Sequence, residues 1–424
     1  MSGSGAAGQD PTGDQDPAPG SPGPGQAPVP GQRNGSGTPG LPGTSGRILL
    51  PGLVDLHVHL RDPGQTHKED FTTGTGAALA GGFTTVLDMP NNATPVTTRE
   101  VLGRKLDLAG ARVVCDTGLY FGSLGDNLSE FEAVQDLVWG LKLYLNTTTG
   151  GYLLDPDFLV SVLRAWRDAG ARTGHRAVAA GARTACAETG GGHPVLLHAE
   201  ADVLPTVLRA AGETGQPVHV CHVCCRAELE QIIAARAAGI PVTCGVTPHH
   251  LFLSAEDADR LGPHGEVRPA LRPRADVDYL WENLAAIDVV ESDHAPHTPA
   301  EKDQGVFGFP GLETTLPLLL WAERQGMLRR EDIVAKCHEA PARILGLGDR
   351  GESVVELDEV EFELGDRELV SRAAWTPFAG RAGYGRVRRV SVRGRVVFED
   401  GVVLAEPGEG FVLRPAAPVA GARS

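Results

Sequence analysis

The 424-residue sequence has no apolar run of the roughly 18–20 residues needed to cross a bilayer, so no membrane segment is expected. Its N-terminus lacks a basic flank followed by an apolar core, which argues against a secretory signal. Basic charge is scarce: 38 Lys and Arg against 54 Asp and Glu leave a net charge of −16. That balance disfavours a general nucleic-acid-binding role, because phosphate backbones need basic surface. The seven cysteines are an odd number spread over a long chain, so a disulfide framework is not expected and a reducing cytoplasm fits better. The cluster Cys221-His222-Val223-Cys224-Cys225 lacks the second closely spaced pair of a structural zinc ribbon, since only Cys244 follows nearby. No G-x-G-x-x-G follows the first strand candidate, which counts against a doubly wound dinucleotide-binding sheet.

What is present divides unevenly. Residues 1–46 hold 13 Gly and 9 Pro with almost no apolar periodicity. Such a segment buries too little surface to offset its ordering entropy and is expected to be a disordered tail. From Arg47 onward, strand-like runs near 53–60, 83–89, 113–119, 140–145, 194–199, 217–222, 241–246 and 287–292 alternate with helical patterns. Strand–helix alternation predicts an α/β fold of parallel βαβ units, and eight units predict a closed (β/α)8 TIM barrel with chemistry at the C-terminal strand ends. The expected organisation is a barrel over 47–345, a small β-rich appendage over 346–413 and a flexible C-terminus over 414–424. An insertion over 171–193, rich in Gly, Ala and Arg, lengthens the connection into the fifth strand.

The chemistry begins in Val54-Asp55-Leu56-His57-Val58-His59-Leu60-Arg61. Strand residues alternate faces, so Val54, Leu56, Val58 and Leu60 are expected toward the helices, with Asp55, His57, His59 and Arg61 toward the interior. Two histidines at i and i+2 suit two bonds of roughly 2.0–2.1 Å to one cation, although alone the pair is weak evidence. In the fourth strand, Lys142 interrupts the apolar run Leu141-Lys142-Leu143-Tyr144-Leu145. It is either a snorkelling or ion-paired lysine, or a desolvated amine nucleophilic toward CO2, whose carbamate would bridge two cations. His198 ends the fifth strand, His222 the sixth, and Ser292-Asp293-His294-Ala295-Pro296-His297 follows the eighth. Barrel topology gathers these ends on one rim.

The motifs Asp55-Leu56-His57-Val58-His59-Leu60-Arg61-Asp62-Pro63-Gly64, Met89-Pro90-Asn91-Asn92, Gly140-Leu141-Lys142-Leu143-Tyr144-Leu145-Asn146, His198-Ala199-Glu200 and Ser292-Asp293-His294-Ala295-Pro296-His297 resemble the dihydroorotases of the amidohydrolase superfamily. The likeness runs from about residue 50 to 400 and extends to bacterial single-function enzymes and to the corresponding domain of the multifunctional animal pyrimidine-synthesis protein. It implies two zinc ions per chain, bridged by N6-carboxylated Lys142 and a hydroxide. His57, His59, Lys142 and Asp293 would hold the first metal, and His198 and His222, with the same carbamate, the second. Asp293 would also be the catalytic acid and base, while Arg61, Asn91 and His297 would bind substrate. The implied reaction is the reversible cyclisation of N-carbamoyl-L-aspartate to L-dihydroorotate, a step of pyrimidine synthesis. The partners implied are that small anionic substrate, a second copy in a homodimer and aspartate carbamoyltransferase, in the cytoplasm and without nucleic acid or membrane.

Two positions depart from the animal members, which carry an acidic residue where this chain has Gly245 and an aromatic one where it has Thr149. No extra metal contact is therefore expected from the seventh strand, and the loop 146–152 lacks that ring. Allantoinases and dihydropyrimidinases share the metal site but bind neutral rings, so Arg61 is the discriminating residue. A non-catalytic amidohydrolase-like scaffold would typically lose ligands, whereas every expected ligand is present here.

Overall fold

A computed structural model describes residues 46–147, 151–174, 193–348, 350–365 and 369–415. The expectations for the tail up to residue 45, for most of the insertion 171–193, for Thr149 in the loop 146–152 and for the last nine residues lie outside these.

Fourteen strands occur in the described residues: β1 (Arg47–Pro51), β2 (Leu53–Val58), β3 (Phe83–Asp88), β4 (Asp116–Leu119), β5 (Phe121–Gly122), β6 (Leu141–Tyr144), β7 (Val195–His198), β8 (Val218–Val220), β9 (Val242–Val246), β10 (Val289–Val290), β11 (Ser353–Glu363), β12 (Ala382–Val392), β13 (Arg395–Glu399) and β14 (Val402–Val403). Every residue of β2 to β10 is buried, as a parallel sheet covered by helices requires. The pairings run β2-β3-β4 and β5-β6-β7-β8-β9-β10, all parallel. β4 and β5 are one barrel strand interrupted at Tyr120, whose hydroxyl donates to the Leu56 carbonyl at 2.9 Å. The ring closes where Val58 bridges His294 and the His59 N–H donates to the His294 carbonyl at 2.8 Å. Each of the eight strand candidates thus supplies a stave of a TIM barrel.

The helices follow from apolar spacing. Leu159–Thr173 buries Leu159, Val162, Leu163, Trp166 and Ala169, a stripe at three- and four-residue steps, and stops at Gly174 with φ 82°. Leu204–Thr214 repeats the device with Leu204, Val207, Leu208 and Ala211.

The first barrel strand is less regular than simple alternation predicts. Val58 and Leu60 do pack with Phe71 and Phe83 in the helical layer. Val54 and Leu56, however, join Leu87, Leu196 and Val289 in a separate cluster, which includes β7 on the far side of the ring from β2 and so reaches into the barrel interior. The physical reason is a register shift between Asp55 and Val58, where the Asp55 carboxylate accepts the His57 N–H at 3.0 Å. Past that irregularity His57 and His59 face the cleft, as the alternation predicts for them.

β1 and β11 to β14 form an antiparallel sheet in the order β1-β11-β12-β13-β14. β1 lies within the stretch read as barrel, yet its alternating burial suits a half-solvated sheet, and Arg47 pairs with Asp358. β12 and β13 turn at Arg393 and Gly394, both left-handed (φ 51° and 77°), as a two-residue hairpin favours. The segment between β11 and β12 reaches the barrel mouth, where the Trp375 indole donates to the His297 carbonyl at 2.8 Å. Among the described residues no helix is long and apolar enough to cross a membrane.

Candidate active site

The C-terminal strand ends converge. Asp293 Oδ1 lies 3.2 Å from His57 Nε2 and 3.1 Å from His59 Nε2. His198 Nδ1 lies 3.0 Å from His222 Nε2, and the His57 and His222 rings are 5.3 Å apart. Lys142 is fully buried, with Nζ 3.1 Å from Cys221 Sγ. His57, His59, Arg61, Asn91, His198, His222 and Asp293 all face one cleft of about 370 Å³. The backbone is strained at three of these positions: Arg61, His222 and Asp293 are non-glycine residues at φ 61°, 40° and 44°. Such conformations cost on the order of 1–3 kcal/mol each and persist where the surroundings impose them, typically at functional sites.

The side chains suit a cation. Burial, the largest cause in each case, holds His57, His59, His198 and His222 below the ordinary imidazole range, with nearby Lys142 adding to the effect at His57 and Arg61 at His59. Neutral imidazoles are the metal-binding form. His59 Nδ1 donates to Asn91 Oδ1 at 2.7 Å, which leaves Nε2 with its lone pair. Among the described residues, His198 Nε2 and His222 Nδ1 are buried without a hydrogen-bond partner, against the rule for buried polar atoms. Ligand atoms bound tetrahedrally at 2.0–2.1 Å sit roughly 3.3 Å apart. The 3.0–3.2 Å separations among these imidazoles and Asp293 are close to that edge. The donor set therefore fits a divalent metal, and His57, His222 and Asp293 bring their ligand atoms within 4.8 Å of one another.

The same cleft also carries cationic side chains. The Arg61 Nε–H donates to the Pro296 carbonyl at 3.2 Å, and Nη2 lies 3.0 Å from His297 Nε2. His297 itself is fully buried and does not line the cleft; it braces Arg61 from behind, with Lys68 Nζ 3.2 Å from its other nitrogen. A second cation, Arg268, lines the cleft and stacks on Phe307 with its guanidinium carbon 4.0 Å from the ring centre. Arg268, Tyr144 and Phe307 escaped the sequence reading. Arg268 and Phe307 sit on long connections with no periodic pattern, whereas Tyr144 stood in the quoted motif beside Lys142 without drawing notice.

A closed parallel barrel with four imidazoles, a buried lysine and an aspartate at its C-terminal rim defines an amidohydrolase-type TIM-barrel protein. Comparisons with known proteins narrow the class. A family model described as dihydro-orotase-like matches residues 46–143. The multifunctional protein CAD of Squalus acanthias is 42% identical over 373 residues, which is 87% of this chain, but the chain spans 16% of that protein's length. A dihydroorotase of Pyrococcus abyssi is 36% identical over 377 residues, 87% of this chain and 88% of the relative. Among solved structures, L-hydantoinase (dihydropyrimidinase) from Arthrobacter aurescens superposes with a TM-score of 0.78 at 25% identity, over 87% of this chain and 89% of that one. The chain belongs to the dihydroorotase family.

Proposed function

We propose that the protein interconverts N-carbamoyl-L-aspartate and L-dihydroorotate at a two-metal centre held by His57, His59, Lys142, His198, His222 and Asp293. The observation that carries this reading is one cleft lined both by a histidine cluster able to hold a metal and by two guanidinium groups, Arg61 and Arg268. A neutral ring needs no such cations, whereas dihydroorotate carries a carboxylate that Arg61 can grip through two parallel hydrogen bonds. In a chain of net charge −16, two arginines in the cleft are a local reversal of sign that favours an anionic substrate.

When bound, the metal pair would supply Lewis-acid polarisation of the ring carbonyl and would lower the pKa of water toward neutrality. Zinc suits a His and carboxylate donor set. Lys142 contributes once its amine adds to CO2, losing a proton and becoming an anionic carbamate with two donor oxygens. In hydrolysis, Asp293 takes the proton of the attacking water and hands it to the leaving ring nitrogen; in cyclisation the same proton travels back. Burial, partly offset by His57 and Lys142, raises the Asp293 carboxyl above its ordinary value in the metal-free chain. Arg61, braced by His297, holds the substrate carboxylate, and Asn91 faces the same cleft while fixing the His59 tautomer.

Two finer points belong to this reading. The likeness to part of a multifunctional chain supports assembly with an aspartate carbamoyltransferase. The six cysteines among the described residues are all free, which supports a reducing compartment such as the cytoplasm.

The purified protein is expected to turn over dihydroorotate, and Arg61→Met to lower kcat/KM by about tenfold to a hundredfold, the worth of a lost charged hydrogen bond. Metal content should be unchanged in the variant. Normal kinetics in it would refute the carboxylate grip.

A further inference from the structure

One fully buried carboxylate takes no part in the chemistry above. Glu291 follows β10 and stands two residues before Asp293. Its Oε1 accepts the His222 N–H at 2.6 Å and lies 3.7 Å from His57 Nδ1, while Oε2 lies 3.5 Å from His219 Nε2. Among the described residues, His57 Nδ1, His219 Nε2 and Glu291 Oε2 have no hydrogen-bond partner, and the two imidazole nitrogens have the two Glu291 oxygens as their charged counterparts, His57 at Oε1 and His219 at Oε2. A buried carboxylate is costly unless such groups compensate it, which makes an idle role for Glu291 hard to sustain.

Its surroundings are shaped around it. Gly245, on the adjoining β9, pairs with Val289 of β10. A Cβ at Gly245 would stand 2.6 Å from the Glu291 carboxylate carbon and 2.6 Å from one of its oxygens. The backbone at Gly245 is not left-handed, so space, not conformation, demands glycine there. Glu291 also fastens the N–H of His222, whose φ of 40° is one of the strained values in the site.

We propose that Glu291 is a positioning residue of the metal centre, orienting the His57 ring and fixing the strained His222 backbone, and that Gly245 is glycine because the Glu291 carboxylate occupies the space its side chain would fill. The proposal rests on the metal-centre reading above. A carboxylate receiving the Nδ1 proton of His57 leaves the Nε2 lone pair directed toward Asp293 and the cleft. Partners of this kind typically change metal affinity about tenfold to a hundredfold when removed.

The test is the zinc dissociation constant of the full chain, measured by competition with a chelating indicator alongside thermal unfolding. Glu291→Gln keeps the shape and the acceptor for His222 but loses the charge, and should bind zinc about tenfold more weakly while remaining folded. Glu291→Ala should fall further, and Gly245→Ala should weaken binding by displacing the carboxylate. In Gly245→Asp/Glu291→Ala the new carboxylate projects into the vacated space, and affinity should recover at least about tenfold over Glu291→Ala. A purely structural Glu291 would lower the melting temperature and leave zinc affinity untouched. Native zinc affinity in folded Glu291→Gln, or no recovery in the reciprocal variant, overturns the proposal. So does loss of a single extra ion with the remaining metals held at native affinity, because His57, Cys221 and Glu291 also bring ligand atoms within 4.8 Å and Glu291 would then be a direct ligand. Absence of zinc binding by the native protein is a different result, and it overturns the metal-centre reading itself.

Discussion

Lys142→Ala is expected to leave a folded barrel that retains less than half of the native metal and loses activity on the order of 10³-fold, the upper range for removal of one preorganised electrostatic group. The argument starts from burial. Lys142 is fully inaccessible on β6, its Nζ has Cys221 Sγ at 3.1 Å, and the histidines of the cluster surround it. As an ammonium it would repel a cation; as a carbamate it would add an anionic charge to the four neutral imidazoles and one aspartate. Metal uptake by the native apoprotein should therefore be slow in CO2-depleted buffer and restored by bicarbonate. Full metal content and turnover in Lys142→Ala would remove the lysine from the centre.

Asp293→Asn is expected to lower kcat by about 10²- to 10⁴-fold, the range for loss of a general acid–base group. The amide keeps the shape but neither accepts nor delivers the proton. The sign of the pH dependence follows from the carboxylate being the working form in hydrolysis. Native activity should fall as the pH drops through the Asp293 pKa, which burial raises and a bound cation would lower. That acidic limb should vanish in the variant. A mutant with native kcat and an unchanged acidic limb would assign the proton transfer to another group.

Much of the site was legible because barrel chemistry lies at strand ends, and strand ends can be read from short apolar runs. His57, His59, His198, His222 and Asp293 each close or follow such a run, and the ring brings them to one rim. Lys142 was visible as a charge inside an apolar strand. Glu291 showed the same signal in Val289-Val290-Glu291-Ser292 and was overlooked beside its conspicuous neighbour Asp293. Gly245 read as a missing acidic residue, and only the neighbouring strand shows that a carboxylate already fills the space. The alternation argument misplaced Val54 and Leu56 because a register shift is a property of pairing, not of one strand's own sequence. Arg268 was hidden for the opposite reason, since a loop carries no period and its cation reaches the cleft only through the folded connection after β9.

The central claim is that a metal cluster and an anion grip share one cleft, and it is tested most directly by parallel kcat/KM measurements on dihydroorotate, allantoin and dihydrouracil with the purified, metal-loaded protein. Two guanidinium groups facing the cluster predict turnover of dihydroorotate at least about a hundredfold above both neutral rings. Equal or greater activity on either neutral ring would contradict that claim.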